Sequence, residues 1–327
     1  MIMPGSKLIL KWMFFLLWLL CFTGIHFICV SCSAGYRETM DKTEKTVAKT
    51  TKKFTRKIRF SDDDLQRMAA VIGFENKSLY RSKDFTDLFR KGIPEYLNNE
   101  CDDVTVANSD NGEYAKGFKE LPILPSGQVD NFALAVIGRQ LGLNAIVTGS
   151  LDDIGLLKEK QGMVWKDTHQ LVQIVATVEV YDVETGTKIL DQSFSRKVDI
   201  GETGYGPIQL EDKIALPDLH ETLGDLIKEI GETVCWAVED QPWNGFVVAV
   251  DGDQVDLSAG SRAGLEPGDE FEVFDTSRIL KASNGQRFFY HGQKIGEIRI
   301  VGVEPDKARA AIVINRGIKK GDTARVK

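Results

Sequence analysis

Residues of the kind that build metal and acid–base sites are scarce in this sequence. Its four histidines, His26, His169, His220 and His291, fall in separate segments without an HxxxH pair, and past the first 34 residues there is no CxxC. Those spacings exclude the common zinc sites. No GxSxG, no GxxxxGK[ST] and no GxGxxG after a strand occurs, which removes the hydrolase elbow, the phosphate loop and the dinucleotide fingerprint. Asp251 to Asp256 (DGDQVD) lacks the order and the position-12 glutamate of a calcium loop, and Gly252 explains it better as a hairpin turn. Asp62-Asp63-Asp64 reads as a solvated helix start. No nucleophile can be paired with a base, so the expectation is a protein that is not an enzyme and needs no cofactor. Five cysteines in 327 residues are too few for a disulfide-built scaffold. The net charge of −7 lacks the basic excess of a nucleic-acid binder, so no nucleic-acid partner is expected.

What is present begins with residues 1–34, an export signal. Lys7 and Lys11 precede the apolar run Trp12 to Val30 (WMFFLLWLLCFTGIHFICV), and small residues follow. The run is 19 residues long, close to the ~20 that span a bilayer. Three fates stay open: lipidation of Cys32, cleavage near Ala34, or retention as an anchor. The segment Cys29-Val30-Ser31-Cys32 matches the lipoprotein box at its second to fourth positions, with Cys29 where leucine is usual. Each fate puts the remainder outside the cytoplasm, and the expected location is the periplasm: lipidation or retention tethers the chain to a membrane there, the outer membrane if lipid is attached, whereas plain cleavage would leave it free. Removing residues 1–34 takes two lysines and no acid, leaving 39 basic against 48 acidic residues, a charge of −9. Cys101 and Cys235 remain, near the ends of two predicted helices. They are candidates for a disulfide in an oxidising compartment, the alternative being two buried thiols.

Residues 35–59 (GYRETMDKTEKTVAKTTKKFTRKIR) are rich in lysine and threonine and carry no apolar stripe. They predict a basic flexible linker with a reach of about 25–30 Å. Residues 60–240 predict an αβ domain of order β-α-β-α-β-β-β-α. Met68–Phe74 reads as a buried strand. A helix from Ser82 carries Phe85, Leu88, Phe89, Ile93 and Leu97, with a kink or break expected at Pro94. Asp103–Ala107 and Asn144–Ser150 are further strands. Val129, Phe132, Ala133, Val136 and Ile137 mark a helix ending near Gly142. Leu171–Tyr181 and Thr187–Val198 pair around the turn at 182–186, and Leu219–Val234 forms a long amphipathic helix. Met163, Val164 and Trp165 form an apolar cluster that reads either as a docking loop or as a strand extension. Residues 243–327 alternate short strands with glycine turns, which predicts a small barrel or sandwich. Gly260, Gly264 and Gly268 read as turns of positive φ.

The run RMAAVIGFENKS, the run LGLNAIVTGSL and the hairpin VEVYDVETGTKILDQ occur in this order. Over about residues 66–238 the chain resembles the αβ domain of the curli-secretion lipoprotein family. The same fold is similar to the amino-terminal domain of TolB, to flagellar outer-membrane lipoproteins and to lipoprotein activators of penicillin-binding proteins. The last 85 residues resemble the carboxy-terminal, SH3-like barrel of flagellar assembly protein T. The resemblance implies an α+β fold, an αβ sandwich of a mixed sheet and three helices followed by a small SH3-like all-β barrel. It implies a membrane-tethered periplasmic binding or assembly factor whose partners are envelope proteins of flagellar or secretion machinery. A homo-oligomeric curli-type secretion channel and a peptidoglycan-synthesis regulator are the alternatives. The resemblance carries over no catalytic residue, only the lipid-bearing cysteine, onto Cys32.

Overall fold

The computed structural model describes residues 60–78, 83–107, 121–161, 167–199 and 217–327. Ser61–Lys327 forms one compact unit. Cys32, the linker 35–59 and the Met163-Val164-Trp165 cluster lie outside the described residues.

The first layer is a mixed sheet ordered β3-β1-β4-β5-β6, with β2 pairing β4. The strands are β1 (Arg67–Val71), β2 (Glu75–Asn76), β3 (Val104–Val106), β4 (Ala145–Gln161), β5 (Asp167–Asp182) and β6 (Lys188–Asp199). β1 runs parallel to β3 and β4, whereas β4, β5 and β6 form an antiparallel meander. Two helices, α1 (Lys83–Glu100) and α3 (Pro217–Glu239), cover one face. Period-2 alternation sets that face: Val172, Ile174, Ala176, Val178 and Val180 are all buried in one core with Phe85, Phe89, Ile93 and Leu97 of α1. Leu223, Leu226, Ile230 and Val234 complete it from α3, a 3-4-4 spacing that puts them on one helical stripe.

A third helix, α2 (Asn131–Leu141), lies against the other face. Ile146 sits between Ala145 and Val147 and so points the opposite way, toward Gly138 of α2. Asp130 caps the helix, accepting from Ala133 N at 3.0 Å, and Gly142 ends it with φ of 72°.

The second layer is a closed six-stranded barrel ordered β12-β13-β8-β7-β14-β9. Its strands are β7 (Gly245–Asp251), β8 (Gln254–Leu257), β9 (Glu270–Phe274), β12 (Lys294–Val303), β13 (Ala308–Asn315) and β14 (Thr323–Val326). Between β9 and β12 an excursion forms the two-stranded arm β10 (Ile279–Lys281) and β11 (Arg287–Phe289). The α+β architecture expected from the sequence is therefore present, with its mixed sheet, three helices and barrel.

Four expectations need correction. α1 is not broken at Pro94 but runs on to Glu100, because Ile93 and Leu97 on either side are fully buried and hold the helix against the sheet. The strand expected at 144–150 runs on to Gln161 and pairs along β5 to Asp167. Gly260 has φ of −141°, not the positive φ expected. Its constraint is steric, since a Cβ there would stand 2.1 Å from the Glu304 carbonyl oxygen. The buried face of α2 is Asn131, Leu134, Ala135, Gly138 and Arg139, two positions on from the stripe Val129, Phe132, Ala133, Val136 and Ile137 read from the sequence.

Gly142 joins the two layers. Besides its positive φ, a Cβ at this position would come within 1.7 Å of the backbone oxygen of Ser258 in the barrel. Gly142→Ala is expected to cost about 2 kcal/mol or more. A thermal melt should show a fall of about 4–8 °C for a body of this size.

Candidate binding cleft between helix and barrel

The junction of α2 with the barrel is built on Arg139, which is 5% exposed. Its Nε donates to the Val183 carbonyl at 3.3 Å, and Nη1 donates to Thr276 Oγ1 at 3.2 Å and to the Gly321 carbonyl at 2.8 Å. Nη2 donates to the Glu184 carbonyl. One guanidinium thus ties the β5–β6 turn of the sheet to two loops of the barrel. Burial lowers its pKa to about 10, so it stays charged at neutral pH.

Aromatic rings sandwich that guanidinium. Its carbon lies 3.8 Å from the Phe289 centroid and 4.8 Å from that of Phe246. Phe289 in turn stacks on Phe132 at 4.7 Å, and Arg287 covers Phe132 at 4.2 Å. The order Arg287, Phe132, Phe289, Arg139, Phe246 is a ladder of cation–π and ring contacts running from the arm through α2 into the barrel. Asn131 pins it by donating to the carbonyls of Gly186 (2.8 Å) and Arg287 (2.7 Å). The Phe289 amide donates to the Thr185 carbonyl at 2.9 Å.

Further ties lie beside it. The buried Glu184 carboxylate meets Arg325 and, at 3.0 Å, His291 Nδ1. Asn144 accepts from Met68 N at 2.9 Å and donates to the Asn244 carbonyl at 2.9 Å. Asp62, read from the sequence as a solvated helix start, accepts from Arg67 at 2.8 Å and from the Trp243 amide at 3.0 Å.

Next to the ladder is a cleft of about 460 Å³. Val136 of α2, Phe246 and Val248 of β7, Ile279 and Phe289 of the arm make apolar walls, and Arg139 is part of the floor. Lys319, Lys320 and Asp322 line it from the β13–β14 turn. That turn is preformed: Gly317 and Gly321 have φ of 107° and 95°, and Asn315 Oδ1 accepts from the amides of Gly317 (2.9 Å) and Ile318 (3.0 Å). Asp322 accepts from Lys319 N at 2.8 Å, and burial pushes its carboxyl above the usual range. Lys319 Nζ is held by Asp275 at 3.0 Å, a bond that raises the lysine's pKa. Lys320 is exposed and has no ion-pair partner among the described residues.

The residues singled out in the sequence lie elsewhere. Cys101 and Cys235 are joined as a disulfide between the end of α1 and α3, with Cα atoms 5.9 Å apart. Glu239 lies within 4.8 Å of both sulfurs, but a disulfide sulfur is not the thiolate that binds metal. Gly252 has φ of 56° in the β7–β8 turn, so the Asp251–Asp256 stretch is a hairpin. None of the described helices is long and apolar enough to cross a membrane.

Sequence reasoning missed the arm and Arg139. One signal was available, the apolar residues Phe132 and Val136 of α2, which stay half-buried in the folded chain and face the arm and the cleft.

No family model matches this chain, and no curated protein matches it. The chain is similar to a hypothetical protein of Chlamydia trachomatis, 12% identical over 53% of this chain and 98% of that one, with a TM-score of 0.35. It is also similar to a lipoprotein of Neisseria meningitidis, 12% identical over 51% of this chain and 97% of that one, with a TM-score of 0.31. The carboxy-terminal domain of LpoB from Salmonella enterica is 13% identical over 40% of this chain and 83% of that domain, with a TM-score of 0.27. None of the three is named as a curli-secretion or flagellar-assembly protein.

Proposed function

We propose that this chain is a non-enzymatic envelope protein, tethered to a membrane by its amino-terminal segment, that works by binding a protein partner in the cleft between α2 and the barrel. The observation that supports this reading is the cleft itself. It is apolar, it lies at the seam of two layers, and its walls are fixed by the Arg139 ladder before any ligand arrives. Preformed walls reduce the ordering cost of association. Among the described residues no histidine, cysteine or glutamate lines it, its one carboxylate, Asp322, accepts from the amides of Lys319 and Thr276, and its two hydroxyls are already engaged, Thr276 with Gly321 and Ser277 with Asp275. Partners in flagellar or secretion machinery follow from the sequence resemblance. The apolar face of β5 is covered by α1 and α3, which favours a soluble binding body over a channel whose strands face lipid.

Two measurements on protein taken from membranes test this. The intact mass should carry a diacyl or triacyl increment that disappears in Cys32→Ser. An unmodified species starting near Gly35 contradicts the tether. In mild detergent the wild type should migrate as a complex larger than the chain, and Val136→Trp, which fills the cleft, should release it with an unchanged melting temperature. A complex that survives Val136→Trp contradicts the cleft as docking site.

A further inference from the structure

We infer that β6 is an interface for a second copy of this chain. Two β6 strands pair antiparallel across a two-fold axis at Phe194 and join the sheets of both copies. The inference uses none of the cleft residues and stands or falls apart from them.

β6 ends the path of its sheet, and β5 is its only strand partner among the described residues. An edge strand offers a row of backbone donors and acceptors to another chain, and proteins commonly blunt such edges by keeping them short or placing proline in them. β6 has 12 residues, about twice the usual strand length, and holds neither proline nor glycine. Its one register shift against β5 lies at the start, where Lys188 faces Tyr181 and Leu190 faces Val180. From Leu190 onward the ladder is regular. Leu190, Gln192, Phe194, Arg196 and Val198 face the core positions Val180 to Val172 of β5 and so lie on the helix-covered side. Asp191, Ser193, Ser195 and Lys197 lie on the other.

The pattern along β6 is complementary to itself. Opposite residues of an antiparallel pair share one side of the sheet, and a two-fold axis keeps the helix-covered sides together. The axis therefore passes at a residue, not between two. At Phe194 it sets Leu190 against Val198, Phe194 against Phe194, Ser193 against Ser195 and Asp191 against Lys197. All but the central pair occur twice. An axis at Ser193 would set Leu190 against Arg196, and one at Ser195 would set Asp191 against Asp199, so apolar and charge matching both select Phe194. The other cations of the strand are held within each copy, Lys188 by Glu179 and Asp191, and Arg196 by Glu229 of α3. Shape agrees with charge. α3 buries Phe194 and Val198, whereas Leu190 is half-buried and Gln192 exposed. The two-fold axis lays the covered half of one strand beside the open half of the other.

Light scattering of the purified full-length protein in detergent should give twice the mass of the chain. Asp191→Lys and Lys197→Asp should each weaken the dimer about tenfold or more, and the double exchange should restore it. Val136→Trp, which strips a partner from the cleft, should leave the dimer's mass unchanged. The register is read with Asp191→Cys/Lys197→Cys. These positions lie about 20 Å apart on one strand, beyond the reach of a disulfide, so a bond between them joins two copies. Oxidation should give a covalent dimer on a non-reducing gel, and neither single variant should. A monomeric wild type overturns the inference, as does an assembly whose mass and affinity Asp191→Lys leaves unchanged. A covalent dimer from Asp191→Cys/Ser195→Cys but not from Asp191→Cys/Lys197→Cys overturns the axis at Phe194.

Discussion

Arg139→Met should destabilise the protein by about 3–5 kcal/mol and loosen the barrel from the αβ layer. Removing a buried cation relieves its desolvation, and methionine restores part of the packing. The acceptors remain, however. The carbonyls of Val183, Glu184 and Gly321 lose their donor, and each unsatisfied buried group costs about 1–3 kcal/mol. The ring stack also loses its central member, since Phe289 and Phe246 meet the guanidinium from two sides. Arg139→Lys should recover only part of the loss, because an ammonium is a point donor without the planar fork that reaches four acceptors and stacks between rings. Chemical denaturation followed by tryptophan fluorescence measures the stability. Limited proteolysis around Gln241–Trp243, where the layers meet, measures the coupling. A variant with wild-type midpoint and protease resistance contradicts the role assigned to Arg139.

The second large effect is expected at the disulfide. Cys101 and Cys235 are 134 residues apart in sequence, so their link closes a long loop in the unfolded chain. The chain-entropy argument gives a stabilisation of about 3–5 kcal/mol for a loop of this length. Cys101→Ala/Cys235→Ala should lower the denaturation midpoint by that amount. A reductant should lower the wild type to the same level and leave the double variant unmoved. If reduction has no effect on the wild type, the bond is absent or does not constrain the unfolded chain.

The sheet and its helical cover were legible in the sequence because their signals are local. The alternation from Val172 to Val180 and the spacing of Leu223, Leu226, Ile230 and Val234 each report a single buried face. The glycine turns of the barrel were legible for the same reason, with Gly264 and Gly268 in the left-handed region. The junction was not. Arg139 lies in the last turn of α2, where an arginine ordinarily reads as solvent-facing, and its acceptors are 44 to 182 residues away. The arm at 279–289 has three-residue strands, too short to leave a periodic trace. Its footing is the non-local contact of Phe289 with Phe132 and Arg139. The stripe of α2 was misplaced because this helix serves two surfaces at once. Its fully buried side includes Asn131 and Arg139, whereas Phe132 and Val136 face the arm and the cleft.

The central claim is that the cleft between α2 and the barrel is where this protein engages its partner. Site-specific photo-crosslinking in intact cells tests it most directly, with the probe placed in turn at Gln140, Lys320 and, on the outer surface of α3, Glu221. The account predicts one discrete adduct shared by the Gln140 and Lys320 probes, lost when Val136→Trp is introduced, and absent from the Glu221 probe. Adducts formed equally from all three positions, or from Glu221 alone, would contradict it.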